Sequence, residues 1–327
     1  MLTRRLALAA TAALAAPAIH AQPIAGGRPV RVIVPFPPGG AVDITSRLLA
    51  DKLGPVLGQP VVVENRAGAG GLIGADAIAK GDRDGSVIGL LGVTVFCALP
   101  HMHSRMPFDP IKDLSPISQL TDGALLCVVN AETARRHGWG DFRDLIRWSR
   151  AHPDEVRMGS SGTGTTSHLN IAAVNRFADA KILHVPYRGG GPASQALATG
   201  DVAFSFATFA SVMPMVQAGT VRGLAVSGAA RSAEFPNLPT VAEALSMPGY
   251  RTLDWHALAG PAGLPADRRA RIAAAFHHAL AKPELQQRLQ AAGATPAPST
   301  PDEMEAFIRA EIEHYTTLAR TTGIKGE

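Results

Sequence analysis

The chain has 327 residues and a small excess of basic side chains, with 31 lysines and arginines against 27 aspartates and glutamates. Two of the arginines lie in the first 21 residues, so 29 basic and 27 acidic groups remain beyond them. That balance, without a run of basic residues, argues against a nucleic-acid ligand. About 300 residues are enough for two ordinary domains, each with its own hydrophobic core.

The first 21 residues have the pattern of a secretory signal peptide. Arg4 and Arg5 precede an apolar run at 6–16, which is shorter than the roughly 17 residues that an uncleaved membrane anchor would need. Small residues follow, and we expect the mature chain to begin near Gln22. The prediction is therefore a periplasmic protein exported by the Sec route, while Thr3-Arg4-Arg5 leaves the twin-arginine route open.

Strands and helices alternate along the chain. Apolar or β-branched runs predict strands at 30–34, 61–63, 87–91, 125–129, 157–159, 183–185, 202–206 and 224–226. Helical spacing of apolar residues predicts helices at 42–53, through Ala79, at 142–151, from 266 to 291 and, after a capping box at 300–303, at 304–319. This alternation is typical of mostly parallel sheets covered by helices, and the two series of strands predict two α/β lobes.

The first candidate ligand loop lies between the first strand and the first helix, where open α/β sheets bind ligands. Its residues are Pro38, Gly39, Gly40, Ala41 and Asp43. Glycines let backbone N–H groups approach an anion, and the helix N-terminus adds partial positive charge. Asp43 would repel a carboxylate, so we expect it to cap loop amides or to position a water. An ordinary tight turn is the alternative.

A second loop, at 159–169, combines hydroxyls with backbone donors, which suits a carboxylate or a phosphate. Its candidate residues are Ser160, Thr163, Gly164, Thr165 and His168. A flexible serine and threonine loop is the alternative, and a lone histidine such as His168 is more often structural.

A third loop, at 186–192, follows another strand in the same way. Its candidate residues are Tyr187, Gly189 and Gly190, and the neighbouring Arg188 is either available for charge pairing or exposed to solvent. Thr94 and Thr208 also follow strands, and they are weaker candidates because either is equally consistent with a turn residue.

Motifs for the common enzyme chemistries are absent from the sequence. The glycine-rich segments lack dinucleotide-loop spacing, and there is no phosphate loop, zinc-protease motif or nucleophile elbow. No cofactor or metal is therefore predicted, since the pair of histidines at 101–103 is too short to define a metal site. Cys97 and Cys127 are predicted core residues, and a disulfide between them is left open. A hydrolase that uses Ser161 with a distant histidine remains an alternative.

Several short motifs occur in a fixed order along the chain. They are Val34-Pro35-Phe36-Pro37-Pro38-Gly39-Gly40 with Asp43, Val62-Val63-Glu64-Asn65-Arg66-Ala67-Gly68, Asp84-Gly85, Gly162-Thr163-Gly164-Thr165, Val185-Pro186-Tyr187-Arg188-Gly189, Pro239-Thr240-Val241-Ala242-Glu243, and Trp255 with Gly260-Pro261-Ala262-Gly263. Each motif alone is weak, but in this order they are highly specific. From Pro29 to the C-terminus the chain resembles the Bug-type substrate-binding proteins of tripartite tricarboxylate transporters.

The resemblance implies a two-lobed periplasmic-binding fold of type II, in which the chain crosses twice between the lobes and encloses its ligand in the cleft. Lobe 1 would comprise residues 28–124 and 229–327, and lobe 2 residues 125–228. The first loop and the Gly-Thr-Gly loop would hold a ligand carboxylate, and the third loop would close the cleft. The expected partners of this monomeric, non-catalytic receptor are the large and small membrane subunits of a transporter.

Position 207 departs from the family pattern in a way that bears on specificity. Relatives that bind amino acids often carry an aspartate just after the strand predicted at 202–206, whereas this chain has Ala207. We therefore predict a carboxylic acid without an α-amino group, such as a dicarboxylate or an aromatic acid. A ligand sensor for a membrane receptor and an exported hydrolase are the alternative functions.

Overall fold

The computed structural model describes residues 23–103, 105–291 and 294–322. The predicted signal peptide and its cleavage site lie outside these residues. The strands are β1 (Val30–Val34), β2 (Val61–Asn65), β3 (Val87–Gly92), β4 (Leu114–Asp122), β5 (Leu125–Asn130), β6 (Val156–Ser160), β7 (Ile182–Pro186), β8 (Phe204–Thr208), β9 (Val221–Val226), β10 (His256–Pro261) and β11 (Thr295–Pro296).

The helices cover the faces of the sheets. They are α1 (Ala41–Leu57), α2 (Leu72–Ala79), α3 (Leu99–Met102), α4 (Ala131–His137), α5 (Phe142–Ala151), α6 (Thr166–Phe177), α7 (Gly190–Thr199), α8 (Phe209–Gln217), α9 (Val241–Leu245), α10 (Ala266–Leu280), α11 (Pro283–Ala291) and α12 (Pro301–Thr322). Within the described ranges, no helix combines the length and apolar character that a bilayer crossing requires.

The strands form two sheets that the chain joins by two crossings. The first sheet has the order β11-β4-β10-β3-β1-β2, and the second has the order β7-β6-β8-β5-β9. The first crossing is the short connection between β4 and β5, and the second runs from β9 to β10. The predicted two-lobed α/β fold is therefore confirmed. The lobe boundaries proposed at 124/125 and 228/229 stay predictions.

The expectation of mostly parallel sheets is too strong, because the described strands form four parallel pairings and five antiparallel ones. Strand-helix-strand units give the parallel pairings, such as β1 with β2 and β6 with β7. After each crossing, however, the next strand enters the other sheet from the side of the cleft. This strand is β5 after the first crossing and β10 after the second, and each is antiparallel to both of its neighbours.

The amphipathic stretch at 266–291 divides into two helices, because Pro283 cannot continue α10 but is well suited to begin α11. The predicted capping box before α12 is present. The Thr300 amide donates to Glu303 Oε2 at 2.8 Å, and the Glu303 amide donates to Thr300 Oγ1 at 3.3 Å. Both α10 and α12 pack against β4, which places the C-terminal helices on the first sheet.

Both cysteines are buried free thiols. Cys97 lies in the π-helical turn Thr94–Ala98 that follows β3, whereas Cys127 lies in the second sheet within β5. No disulfide joins them. Burial raises the pKa of both thiols well above its ordinary value, so they remain protonated core residues.

Candidate ligand-binding site

A cleft between the two sheets has an empty volume of about 1090 Å³, its open mouth included. Four helices begin at its wall, with Gly40, Thr165, Gly189 and Thr208 as the N-cap residues of α1, α6, α7 and α8. At these four described helix starts, no side chain caps the helix. The positive ends of helices from both lobes therefore face one space, which suits an anion.

Asp43 holds the first cleft loop from behind and does not line the cleft. Its carboxylate accepts hydrogen bonds from the Gly39 amide at 2.9 Å, from Asn65 Nδ2 at 2.9 Å and from Arg47 Nε at 3.1 Å. Asn65 also donates to the Phe36 carbonyl at 3.0 Å. Burial alone would raise the pKa of the Asp43 carboxyl, but these three donors lower it. Asp43 is thus a fixed anion that shapes the loop.

The second loop presents a cluster of hydroxyls to the cleft. Ser161 Oγ lies 3.2 Å from Ser167 Oγ, which lies 3.0 Å from Thr165 Oγ1. Thr165 Oγ1 donates to the Gly162 carbonyl at 2.7 Å, so its proton stays within the loop. Ser161 and Ser167 were not among the predicted site residues, although both belong to the predicted loop. Together with the amides that begin α6, these groups can share one negative charge.

Two stacked histidines support this loop from below. The rings of His168 and His184 lie 3.9 Å apart and are nearly parallel. His184 Nε2 lies 2.6 Å from the Oγ of the fully buried Ser160, and the Gly164 amide donates to His168 Nδ1 at 3.2 Å. Burial, together with the neighbouring His168, lowers the pKa of His184 to about 4, and burial also lowers the pKa of His168. Both rings are therefore neutral at neutral pH.

The third loop is fastened to the second. The Tyr187 amide donates to the Ser160 carbonyl at 3.0 Å, and the Gly189 amide donates to the Ser161 carbonyl at 3.1 Å. Gly189 has a φ of 111°, which other residues rarely adopt, and a Cβ placed on it would lie 3.5 Å from Pro37 Cδ. The third loop of lobe 2 thus lies close to the first loop of lobe 1, and both line the cleft.

The structure brings most of the predicted site residues to this cleft. Those that line it are Pro38, Gly39, Gly40, Thr94, Thr165, Gly189, Gly190, Ala207 and Thr208. Asp43, Ser160, Gly164 and His168 lie behind the wall and hold its loops. Thr163 and Tyr187 line a neighbouring cavity that shares Pro37 and Gly189 with the cleft, and Ala41 is the first residue of α1.

Two ionisable residues on the floor of the cleft, Asp254 and His256, were missed by sequence reasoning. They flank the fully buried Trp255 in the returning segment. The Asp254 amide donates to the Gly123 carbonyl of the other crossing at 3.0 Å, and His256 Nδ1 lies 3.3 Å from Thr121 Oγ1. The sequence signal that could have located them is the alternation of side chains in an extended segment. Because Trp255 points into the core, its two neighbours point to the opposite side.

The geometry does not support the hydrolase alternative. Among the described residues, Ser161 Oγ contacts the Ser167 hydroxyl and no histidine, whereas the serine paired with His184 is the fully buried Ser160. A nucleophile needs a base within hydrogen-bond reach and access to substrate, and neither serine has both. In the same described part of the chain, no group of histidine, cysteine and acidic residues is arranged to hold a metal.

Comparison with known proteins places this fold and cleft in a family. The model of the tripartite tricarboxylate transporter family receptor, TctC, matches residues 45–324. Protein BugT of Bordetella pertussis is 36% identical over 97% of this chain and 95% of its own. Rpa4515 of R. palustris, solved with adipate, has a TM-score of 0.85 and 30% identity, covering 92% of this chain and 99% of that one.

A further solved structure, MatC from Rhodopseudomonas palustris with bound malate, has a TM-score of 0.82 and 27% identity, covering 89% of this chain and 98% of that one. The match therefore extends over both lobes and the cleft between them. This chain belongs to the tripartite tricarboxylate transporter receptor family and is a solute-binding protein of the Bug and TctC type.

Proposed function

We propose that this protein is a periplasmic receptor that captures a small organic acid in the interlobe cleft and delivers it to a tripartite tricarboxylate transporter. One observation carries the proposal, namely the four uncapped helix starts from both lobes that face the same space. Neutral N–H and hydroxyl donors bind a carboxylate without a buried counter-ion. The adipate bound to Rpa4515 and the malate bound to MatC support the same class of ligand.

The mechanism is closure of the two lobes on the ligand. The carboxylate contacts the Gly39 and Gly40 region of lobe 1 and the hydroxyl loop of lobe 2, so each contact favours the closed state over the open one. The third loop seals the mouth where Gly189 meets Pro37. The large and small membrane subunits then recognise the closed receptor, which acts as a monomer, and no bond of the ligand is broken.

Ala207 restricts the class of acid. It is buried at the cleft wall, at the end of β8, and offers no charge to an α-ammonium group. An amino acid would therefore leave its ammonium without a partner at this wall, which is costly in a partly buried site. We infer that the ligand is an organic acid without an α-amino group.

A thermal-shift screen of the mature protein against organic acids tests this function. A ligand that binds the native state alone raises Tm by mass action, so dicarboxylates and hydroxy acids should raise it while aspartate and glutamate should not. Calorimetry then gives Kd for each hit. An unchanged Tm with every carboxylate would contradict the proposal. Hydrolysis of esters from a test panel would support the hydrolase alternative.

A further inference from the structure

The floor of the cleft is chemically unlike its walls. The walls offer backbone amides and hydroxyls, whereas the floor carries the acid and imidazole of Asp254 and His256, which lie two residues apart on the same side of the returning segment. Among the described lining residues, the one other charged side chain is Arg188, which is exposed at the mouth. The helix starts account for one ligand carboxylate, so the floor is left for a second polar group.

The floor presents an acceptor in Asp254. In the described part of the chain, its backbone amide is bonded to Gly123 but no protein donor reaches its carboxylate. Burial raises the pKa of the Asp254 carboxyl above its ordinary value, and the nearby His256 offsets this rise only in part. A half-buried carboxylate without a donor is stabilised by any ligand group that supplies one.

The floor also presents a donor in His256. Thr121 is 1% exposed, and in the described structure its hydroxyl has His256 Nδ1 as its side-chain partner at 3.3 Å. With the Thr121 hydroxyl as the donor to Nδ1, the ring proton of His256 lies on Nε2. Nε2–H is then the free polar group of a ring that lines the cleft.

One acceptor beside one donor selects among ligand groups. A second carboxylate would suit His256 but would meet the negative charge of Asp254, and an ammonium would suit Asp254 but would face an N–H group at His256. A methylene would satisfy neither residue. A hydroxyl donates to the carboxylate and accepts from the imidazole, so it is complementary to both.

We propose that Asp254 and His256 are specificity-determining residues that recognise a hydroxyl group on the carboxylic acid ligand, which makes hydroxy acids the preferred substrate class. The inference rests on the proposed function, because the ligand carboxylate is held by the helix starts of the walls. The inference is consistent with Ala207. A ligand hydroxyl satisfies Asp254 and His256, and Ala207 has no charge to pair, so the cleft does not require a ligand ammonium.

Matched pairs of acids test the proposal by calorimetry on the mature protein. The pairs are succinate and malate, glutarate and 2-hydroxyglutarate, and adipate and 2-hydroxyadipate, each with the corresponding amino acid as a third arm. We expect the hydroxy acid of the best-fitting length to bind at least about tenfold more tightly than its unsubstituted partner, because the latter leaves a buried charge without a hydrogen bond.

Two variants assign the preference to the floor. Asp254→Asn replaces a charged acceptor by a neutral one and should reduce the hydroxy preference by about tenfold. His256→Gln, which keeps a donor but moves it, should also reduce the preference. The matched control is Asp122→Asn, a carboxyl at the same crossing that accepts the Gly123 amide and does not line the cleft, and this variant should keep the wild-type preference.

The outcomes separate this inference from the proposed function. A hydroxy preference that falls in the Asp254 and His256 variants but not in Asp122→Asn supports the inference. Equal binding of hydroxy and unsubstituted acids, an unchanged preference in folded Asp254→Asn, or tightest binding of the amino acid overturns it and leaves carboxylate capture intact. If none of the acids binds, the proposed function fails and the inference fails with it.

Discussion

At the residue scale, Asp43 lies next to the proposed anion site but does not line it. It is 3% exposed, and its carboxylate is occupied by the donors of Gly39, Asn65 and Arg47. The Gly39 N–H that bonds to Asp43 is therefore turned away from the ligand, which leaves the later amides of the loop for the cleft. The role of Asp43 is to hold the conformation of that loop.

We expect Asp43→Ala to weaken both stability and binding. The Gly39 and Asn65 donors lose their acceptor, which should lower the free energy of unfolding by about 1–3 kcal/mol and raise Kd for the carboxylate ligand by about tenfold as the loop loosens. Urea denaturation and calorimetry measure the two effects. The control is Asp51→Ala, an exposed aspartate on the same helix. Equal effects in both variants would contradict the role given to Asp43.

The stacked pair of His168 and His184 predicts an acid-sensitive lobe 2. The pKa of His184 is about 4 in the folded state and near the ordinary 6.5 when unfolded, so the unfolded chain binds its proton first as the pH falls. The stability from this group is complete above about pH 6.5, decreases as the pH falls, and levels off near pH 4.

Thermal melts from pH 7.5 to pH 4 measure this effect as a fall in Tm. His184→Asn should show a smaller fall over that interval than the wild type, whereas the exposed His278→Asn should follow the wild type. Parallel curves for all three proteins would show that the pair does not titrate on unfolding.

At the scale of elements, the beginnings of four helices line the proposed binding cleft, and one of those beginnings requires glycine. Gly189 has backbone angles of 111° and 171°, a region nearly restricted to glycine. Gly191, two residues later, lies within α7, and a Cβ there would meet no atom within 4 Å. Gly189 and Gly191 therefore serve different purposes, and a substitution distinguishes them.

Gly189→Ala should destabilise the protein by about 1–3 kcal/mol, because alanine is strained in that conformation. Gly191→Ala should leave stability unchanged or raise it by about 0.4–1 kcal/mol, since alanine restricts the unfolded chain and fits the helix. Urea denaturation of the two variants gives the comparison. Equal losses would mean that crowding at the loop, and not the backbone angle, limits both positions.

Sequence patterns predicted local elements well and their relations less well. The bounds of β1 and α5 match the predicted 30–34 and 142–151, because apolar spacing is a local signal. The antiparallel direction of β5 and β10 depends on where the chain crosses between sheets, which spacing does not encode. Asp254 and His256 reach the cleft for the same reason, so a motif search along the loops passes over them.

At the scale of the whole molecule, the ligand site exists only where the lobes meet. The first loop belongs to one sheet and the hydroxyl loop to the other, while a Cβ placed on Gly70 would lie 3.1 Å from the Thr163 carbonyl oxygen across the gap. In the proposed function both halves of the site contact one ligand, so binding and closure are coupled free energies.

Small-angle X-ray scattering tests this coupling. A saturating organic acid should reduce the radius of gyration of the wild-type protein, because ligand contacts favour the closed arrangement of the lobes. Asp43→Ala should need more ligand to reach the same compact state. An unchanged radius at full occupancy would mean that the ligand enters an arrangement already closed in its absence.

The two buried thiols can report when each part of the molecule unfolds. Cys97 lies in the turn that follows β3 of the first sheet, Cys127 lies in β5 of the second sheet, and neither is accessible in the native protein. A thiol-specific reagent can therefore modify each one after its own lobe has opened. Mass spectrometry of the labelled peptides would time the unfolding of the two lobes separately, and bound ligand, which fastens one lobe to the other, should slow both reactions together.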